Sequence, residues 1–505
     1  MASSPGGSTL TPAEVRMELH AQNRGKLVRC LRQRLAESSR PVHGFVLLQG
    51  GEEQNRYCTD HAELFRQESY FAYLFGVREP GFYGAIDISS GKSILFAPRL
   101  PEEYAVWMGK IKPLAYYKIC RNITWLTWFF YTDEIVEVLH NHCENPGKPL
   151  LFLLYGLNTD SGNHSKPAMI KEMEKFDTDL DVLHPVLTEC RVLKSEMEIG
   201  LMQYANDISS EAHVEVMRKA RVGLKEYQLE SVFLHHVYMY GGCRHCSYTC
   251  VCATGENSAV LHYGHAAAPN DKTLIDGDMS LFDMGAEYHF YALNISSFAG
   301  QWNISADQLL AVLKAHDNVI SCMSLVIGWI DMHKLAERTI LESLKEGGLI
   351  QGDVDDMMVG RLGAVFMPHG LGHLLGIDTH DPGGYPKGLE RPKEPGLKSL
   401  RTTRTLQEGL VITVEPGCYF IDALLVPAME DPDKSKHFNR REISRFRALA
   451  ASGLKAMWYD ALVTAEGCRN LTNCPRKTWE IEAVMAGAPW PPPPPATLSQ
   501  NGGYR

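Results

Sequence analysis

The chain has 505 residues, 45% of them hydrophobic and 22% charged, with 50 Lys and Arg against 60 Asp and Glu for a formal net charge of −10. This composition excludes a fibrous or wholly disordered chain and suits roughly two to four globular domains. The acidic balance disfavours nucleic acid and anionic membrane surfaces as partners, and no apolar run approaches the ~20 residues that span a bilayer. Met1–Thr11 lacks the apolar segment of a signal peptide, and thirteen cysteines, an odd count, suit a reduced chain. A cytoplasmic location is therefore expected.

In chain order, residues 1–12 are rich in Ser, Gly and Pro and are expected to be disordered. Val15 to Leu35 predicts a helix, with apolar residues interleaved among Arg, Glu and Lys. Phe45–Leu48, Gly84–Ile88 and Leu150–Leu154 predict short buried strands, so an α/β first domain is expected over residues 13–184. Ile119 to Thr132 packs Trp125, Trp128, Phe129, Phe130 and Tyr131 together. A buried strand is the plainer reading of it and an exposed partner patch the other. Leu193–Val222 and Ser305–Leu325 predict helices, and residues 245–300, rich in Gly, Tyr and β-branched types, predict an antiparallel sheet. An α+β second domain is expected over 185–485, closed by a helix from Thr478 to Met485. The tail, 486–505, holds Pro491–Pro495 and predicts polyproline II or disorder.

Three segments could carry chemistry. They are Leu281-Phe282-Asp283-Met284-Gly285, then Met367 to His373 continuing to Asp378-Thr379-His380-Asp381, and Thr413-Val414-Glu415-Pro416-Gly417. Each alone has a bland explanation: a turn, a structural histidine, a strand end. Together they put Asp283, His373 and Glu415 in apolar surroundings, where a carboxylate is costly unless it is paired or binds a cation. Oxygen-rich ligation with imidazole suits Mn²⁺, Co²⁺ or Zn²⁺.

These segments resemble those of the pita-bread metallopeptidases, and within that group the chain is similar to the prolidase (Xaa-Pro dipeptidase) family. Gln49 to Glu53, Phe65 to Ser69, Trp107 to Lys110, Gly255 to His265 and Ser399 to Thr402 carry the likeness across roughly residues 45–485. The resemblance implies a creatinase-like N-terminal domain, a pita-bread catalytic domain and a homodimer. It also implies hydrolysis of dipeptides with C-terminal proline or hydroxyproline by water activated between two Mn²⁺ ions. Asp283, His373 and Glu415 match ligand positions. His262, His369 and His380 match histidines that orient substrate and move protons, and Arg401 matches the residue that pairs with the dipeptide carboxylate. Tyr248 matches a pocket residue, and Trp107 an aromatic that reaches the partner subunit's site.

The chain departs from that pattern at two ligand positions. The second family Asp, eleven residues after Asp283, is Asn294 here. The last family Glu falls on Trp458, and a neighbouring Arg position falls on Ala456. Asn offers only a neutral carbonyl and Trp no acceptor. Asp283 and Glu415 alone cannot balance two divalent cations, so one ion or fewer is expected, with His373, Glu415 and Asn294 as its ligands. Asp460, two residues past Trp458, could restore a carboxylate by a slip in strand register. Three readings stay open: an active dipeptidase, a non-catalytic protein of this fold that binds dipeptides or a protein partner, and metal-free hydrolysis by the histidines.

Overall fold

The structure, a computed structural model, describes residues 8, 10–116, 128–143, 147–264, 270–300, 306–449, 454–455 and 459–492. Most of the expected disordered N-terminus, most of the 119–132 segment, Ala456, Trp458 and the end of the proline-rich tail lie outside the described residues.

The first domain is built on one mixed sheet of β1 (Phe45–Gln49), β2 (Tyr83–Asp87), β3 (Ser93–Ala97), β4 (Trp128–Tyr131), β5 (Leu150–Leu153) and β6 (Asp177–Asp179), ordered β4-β3-β2-β1-β5-β6. Its central strands read as unbroken apolar runs because both faces are covered. Val46, Leu48 and Ile86 pack toward the helices Glu18–Glu37 and Leu183–Val192, while Phe45, Leu47, Ala85 and Phe96 meet the helix Ile135–Asn141. β4, the described end of the aromatic segment, is an edge strand and only half-buried.

Among its described residues the second domain holds two three-stranded antiparallel sheets. One is β8 (Val251–Thr254), β9 (Met279–Asp283) and β11 (Ser296–Gly300), ordered β11-β9-β8. The other is β12 (Val411–Val414), β15 (Tyr459–Thr464) and β16 (Gly467–Asn470), ordered β12-β15-β16. Two short pairs complete it: β7 (His245–Cys246) with β10 (Ala286–Glu287), and β13 (Gly417–Cys418) with β14 (Leu454–Lys455). The helices Glu196–Lys219 and Glu226–Met239 cover the first sheet, and Ala306–Cys322 and Trp329–Glu346 pack on the second. Ser195 caps the first of these, and Glu198 returns a bond to the Ser195 backbone, a reciprocal arrangement that starts the helix sharply.

A buried ionic network ties the domains together. Arg191 donates to Asp378 at 2.7 Å and to Asp381 at 2.6 Å, and Lys194 lies 3.0 Å from the other Asp381 oxygen. From the first domain, Ser69 donates to Asp378 at 2.6 Å, and Arg66 reaches Glu287 at 2.6 Å. The two aspartates bracket His380, so this network fixes the loop that presents it. Past Met485, Arg218 donates to Ala488 O at 3.0 Å and Trp490 to Asn473 O at 3.0 Å, so the start of the tail lies against the domain. Among the described residues no helix is long and apolar enough to cross a membrane.

Candidate functional site

Strand pairing brings distant motifs together. The segment His369–Leu375 runs antiparallel to β12, with Glu415 N donating to Leu371 O at 2.7 Å and Thr413 N to His373 O at 3.0 Å. β15 pairs with the other edge of β12, setting Asp460 opposite Thr413. His373, Glu415 and Asp460 therefore stand on three neighbouring extended segments. A Cβ on Gly372 would lie 1.9 Å from Thr413 O, so only glycine allows this approach. Asp283 ends β9 opposite Ser296, and Asn294 lies two residues before the start of β11. A Cβ on Gly285 would lie 2.2 Å from Leu293 O, so glycine lets the turn after Asp283 close on the Asn294 segment.

Asn294 occupies the centre. Its Nδ2 donates to Glu415 Oε1 at 3.0 Å and stands 3.2 Å from His373 Nε2. Its Oδ1 and Asp283 Oδ1 each lie 2.7 Å from the Tyr248 hydroxyl, whose single proton they share. Its backbone N–H donates to Asp460 Oδ2 at 3.2 Å. A carboxylate can only accept, so Glu415 fixes the NH₂ end of the amide on its own side.

The charges follow from these contacts. His373 Nδ1 donates to Leu374 O at 2.9 Å, so Nε2 carries a proton only in the imidazolium, the form suited to Glu415 Oε1 at 2.9 Å. Burial works against that charge, but the Glu415 carboxylate outweighs burial and raises the His373 pKa. Burial likewise favours neutral Glu415, and His373 prevails in holding its pKa below the usual value. Burial pushes Asp460 up to about 7, against the opposing pull of the Asn294 N–H. Asp460 Oδ1 and the Tyr419 hydroxyl are buried without a hydrogen-bond partner among the described residues.

The remaining predicted residues divide. The His380 ring stands edge-on to His373 with centroids 4.5 Å apart. His380 is itself exposed, and its pKa is lowered, first by the protein packed around the ring and then by its neighbours His373, Arg401 and His262. Those groups therefore share one side of the site. His369 lies edge-on to Tyr419, centroids 5.4 Å apart. Arg401 Nη1 is 3.6 Å from Asp160 Oδ2, an acid of the first domain that Arg391 also holds at 2.7 Å. Trp107 is not brought in: it is 84% exposed, on the helix Tyr104–Met108, which buries none of its residues. Sequence reasoning missed Thr413, whose Oγ1 accepts from His373 N at 2.9 Å, and Tyr419. Thr413 was findable, since strand alternation puts it on the same face as Glu415, two residues on.

A divalent cation needs anionic oxygens and neutral imidazole converging on one point. Among the described residues no three His, Cys, Asp or Glu side chains are so placed. The Asn294 amide hydrogens point between Glu415 and His373, where they would repel a cation. The residues present do not fit the metal pair that the resemblance implies.

Comparison with known proteins supplies the lineage. The description "Metallopeptidase family M24" matches residues 200–445, and "Aminopeptidase P, N-terminal domain" matches residues 20–151. The chain is 50% identical to the Xaa-Pro dipeptidase of Homo sapiens over 487 residues, 95% of each chain. It is 50% identical to that of Mus musculus, over 96% of each. Among solved structures, aminopeptidase P from E. coli with the inhibitor Pro-Leu superposes with a TM-score of 0.73 at 25% identity, covering 94% of this chain and 99% of that one. Pseudomonas aeruginosa aminopeptidase PepP gives 0.72 at 25% identity, covering 94% and 98%. The expected order of a creatinase-like domain before a pita-bread domain is borne out. The chain belongs to metallopeptidase family M24.

Proposed function

We propose that this chain recognises Xaa-Pro dipeptides in the manner of a prolidase, and that its hydrolytic step is severely impaired. One observation carries the second half: the Asn294 amide donates to Glu415 and abuts His373, where the family pattern has a carboxylate. Arg401, whose Nη1 lies 3.6 Å from Asp160 Oδ2, is the anchor for a free C-terminal carboxylate, which favours dipeptides over longer chains. His262, His369 and His380 orient the dipeptide and hold or pass protons, His380 from its neutral form. Tyr248, whose hydroxyl meets Asp283 and Asn294, lines the same pocket in this reading. We place Asp283, Asn294, His373 and Glu415 as the remnant of a Mn²⁺ site that holds one ion at most. The exposed Trp107 helix suits a homodimer in which it covers the partner subunit's pocket.

The second reading, an active dipeptidase, draws on Asp460, a buried carboxyl beside Asn294 with one oxygen unpartnered. The test is calorimetric titration with Gly-Pro alongside Gly-Pro hydrolysis in Mn²⁺. Binding with turnover orders of magnitude below a family dipeptidase is the expected result. Full turnover would favour Asp460 as a working ligand, and an absence of binding would overturn the dipeptide reading.

A further inference from the structure

The turn between β7 and β8 carries Tyr248 into the site and has a cysteine at each end. Cys250 Sγ donates to Cys246 Sγ at 3.9 Å, and both are thiols. We propose that Cys246 and Cys250 form a reversible disulfide, made by exchange with a small-molecule disulfide such as oxidised glutathione, that tightens this turn and changes dipeptide binding through Tyr248.

The surroundings suit the reaction. Cys246 is half-buried and within reach of an oxidant, whereas Cys250 is 3% exposed and reacts only internally. The Cys250 S–H bond stabilises a thiolate on Cys246, whose pKa is lowered, while that of Cys250 is raised. The Cys246 thiolate attacks one sulfur of oxidised glutathione and releases one glutathione thiolate. Cys250 then gives up its proton and attacks the Cys246 sulfur, expelling the second. Two protein thiols are oxidised by two electrons and one disulfide is reduced to two thiols. Closing a 3.9 Å separation to a bond of ~2.05 Å draws the sulfurs together by about 2 Å. In a reduced compartment such a bond is transient, as redox-sensing disulfides are.

The turn cannot absorb that movement freely. Ser247 N donates to Gly285 O at 2.9 Å, Ser247 Oγ donates to Ala286 O at 2.8 Å and accepts from Leu293 N at 3.0 Å, and Thr379 donates to Ser247 O at 2.8 Å. With Ser247 clamped, the displacement falls on Tyr248 to Cys250, and Tyr248 holds both Asp283 and Asn294.

The full chain is equilibrated in oxidised and reduced glutathione, digested and weighed, and Gly-Pro binding is measured on both forms. The peptide spanning residues 246–250 should lose about 2 Da on oxidation and regain it with dithiothreitol. Cys250→Ser should stop at a glutathione adduct on Cys246, and Cys246→Ser should take up none there. Cys252→Ser, a neighbouring thiol, should leave the bond intact. A dithiol that persists in excess oxidised glutathione, or a bond that survives in Cys250→Ser, would overturn the assignment. The binding arm rests on the dipeptide reading: oxidation should weaken Gly-Pro binding at least about threefold, and equal affinity would overturn the link through Tyr248. An absence of Gly-Pro binding in both forms would count against the dipeptide reading alone, since the peptide mass decides the disulfide by itself.

Discussion

Asn294 Nδ2 donates to Glu415 Oε1 across 3.0 Å, so the protein's own amide and the neighbouring His373 imidazolium, rather than a metal ion, satisfy the buried carboxylate at the heart of the site. With His373 as its ion-pair partner at 2.9 Å, Glu415 has the charge compensation that burial requires. A site closed by its own hydrogen bonds gains little from an added ion. The melting temperature should therefore shift by less than about 2 °C on adding EDTA or Mn²⁺, because a ligand stabilises only in proportion to its binding. A Mn²⁺-dependent rise well beyond that would show tight metal binding despite Asn294.

Asp381 should be the costliest acid to remove outside the site. Its side chain is 1% exposed and accepts from both Arg191 and Lys194. Deleting it leaves two buried cations under-compensated, which costs about 3–5 kcal/mol. Asp381→Ala should lower the urea midpoint accordingly and, by freeing the His380 loop, weaken Gly-Pro binding. An unchanged midpoint would deny the network its structural role.

His213 sets an acid limit on stability. Its Nε2 donates to Met284 O at 2.8 Å and its Nδ1 accepts from Ser297 Oγ at 2.7 Å, both in the core. Burial pushes its pKa from 6.5 down to about 4. The folded state thus resists a proton that the unfolded chain accepts, so stability is intact above pH 6.5 and falls as pH drops toward 4. The loss from this residue is about 3 kcal/mol. Urea unfolding of wild type and His213→Gln at pH 7 and pH 4 isolates it: the wild type should lose about that much more between the two pH values.

Arg401→Ala should weaken Gly-Pro binding roughly 10–100-fold, the worth of a charge-assisted hydrogen bond, and should barely affect a dipeptide amide. Arg401→Lys should not restore affinity, because an ammonium cannot grip a carboxylate bidentately. Equal affinity of Arg401→Ala for acid and amide would remove the anchor role.

How much of this was legible in the sequence follows from what each feature depends on. Phe45–Gln49 and Leu150–Leu153 were readable because strands buried on both faces leave apolar runs, and Thr478–Met485 because Pro475 precedes it and Gly487 and Pro489 follow it. Asp283, His373 and Glu415 were readable because carboxylates in apolar runs beside a histidine call for a partner, whereas the close approaches that Gly285 and Gly372 permit emerge only in the fold. The amide bridge from Asn294 was not, since it depends on side-chain direction across partners 79 and 121 residues away. The Arg191–Asp381 pair, 190 residues apart, and the Cys246–Cys250 contact, which needs the turn's shape, left no local pattern. Asp460 entered the sequence reading only as a register slip. Its strand in fact keeps Val463 opposite Cys468 and Thr464 opposite Gly467, and Asp460 meets Asn294 with that hairpin intact.

That geometry frames the restoration of catalysis. Asn294→Asp alone would set a new carboxylate between Glu415 and Asp283, adding negative charge without the opposing ligand that a second cation needs. Trp458→Glu alone would leave the Asn294 amide donating to Glu415 as it does now. Each single substitution should therefore do little, whereas the pair should act as a unit and recover both binuclear Mn²⁺ occupancy and Gly-Pro cleavage. The stoichiometry is read by metal analysis of the dialysed protein and the cleavage by proline release, for the natural chain, both singles and the double variant. Asp460→Asn in the natural chain supplies the control, because it removes a further carboxyl that accepts from the Asn294 backbone. If the natural chain already holds two ions at family-level turnover and Asp460→Asn abolishes both, Asp460 has taken over the missing ligand's part and the impairment argued from Asn294 is wrong. If the natural chain is slow and only the double variant is fast, the joint loss of carboxylates at Asn294 and Trp458 is what separates this protein from a working dipeptidase.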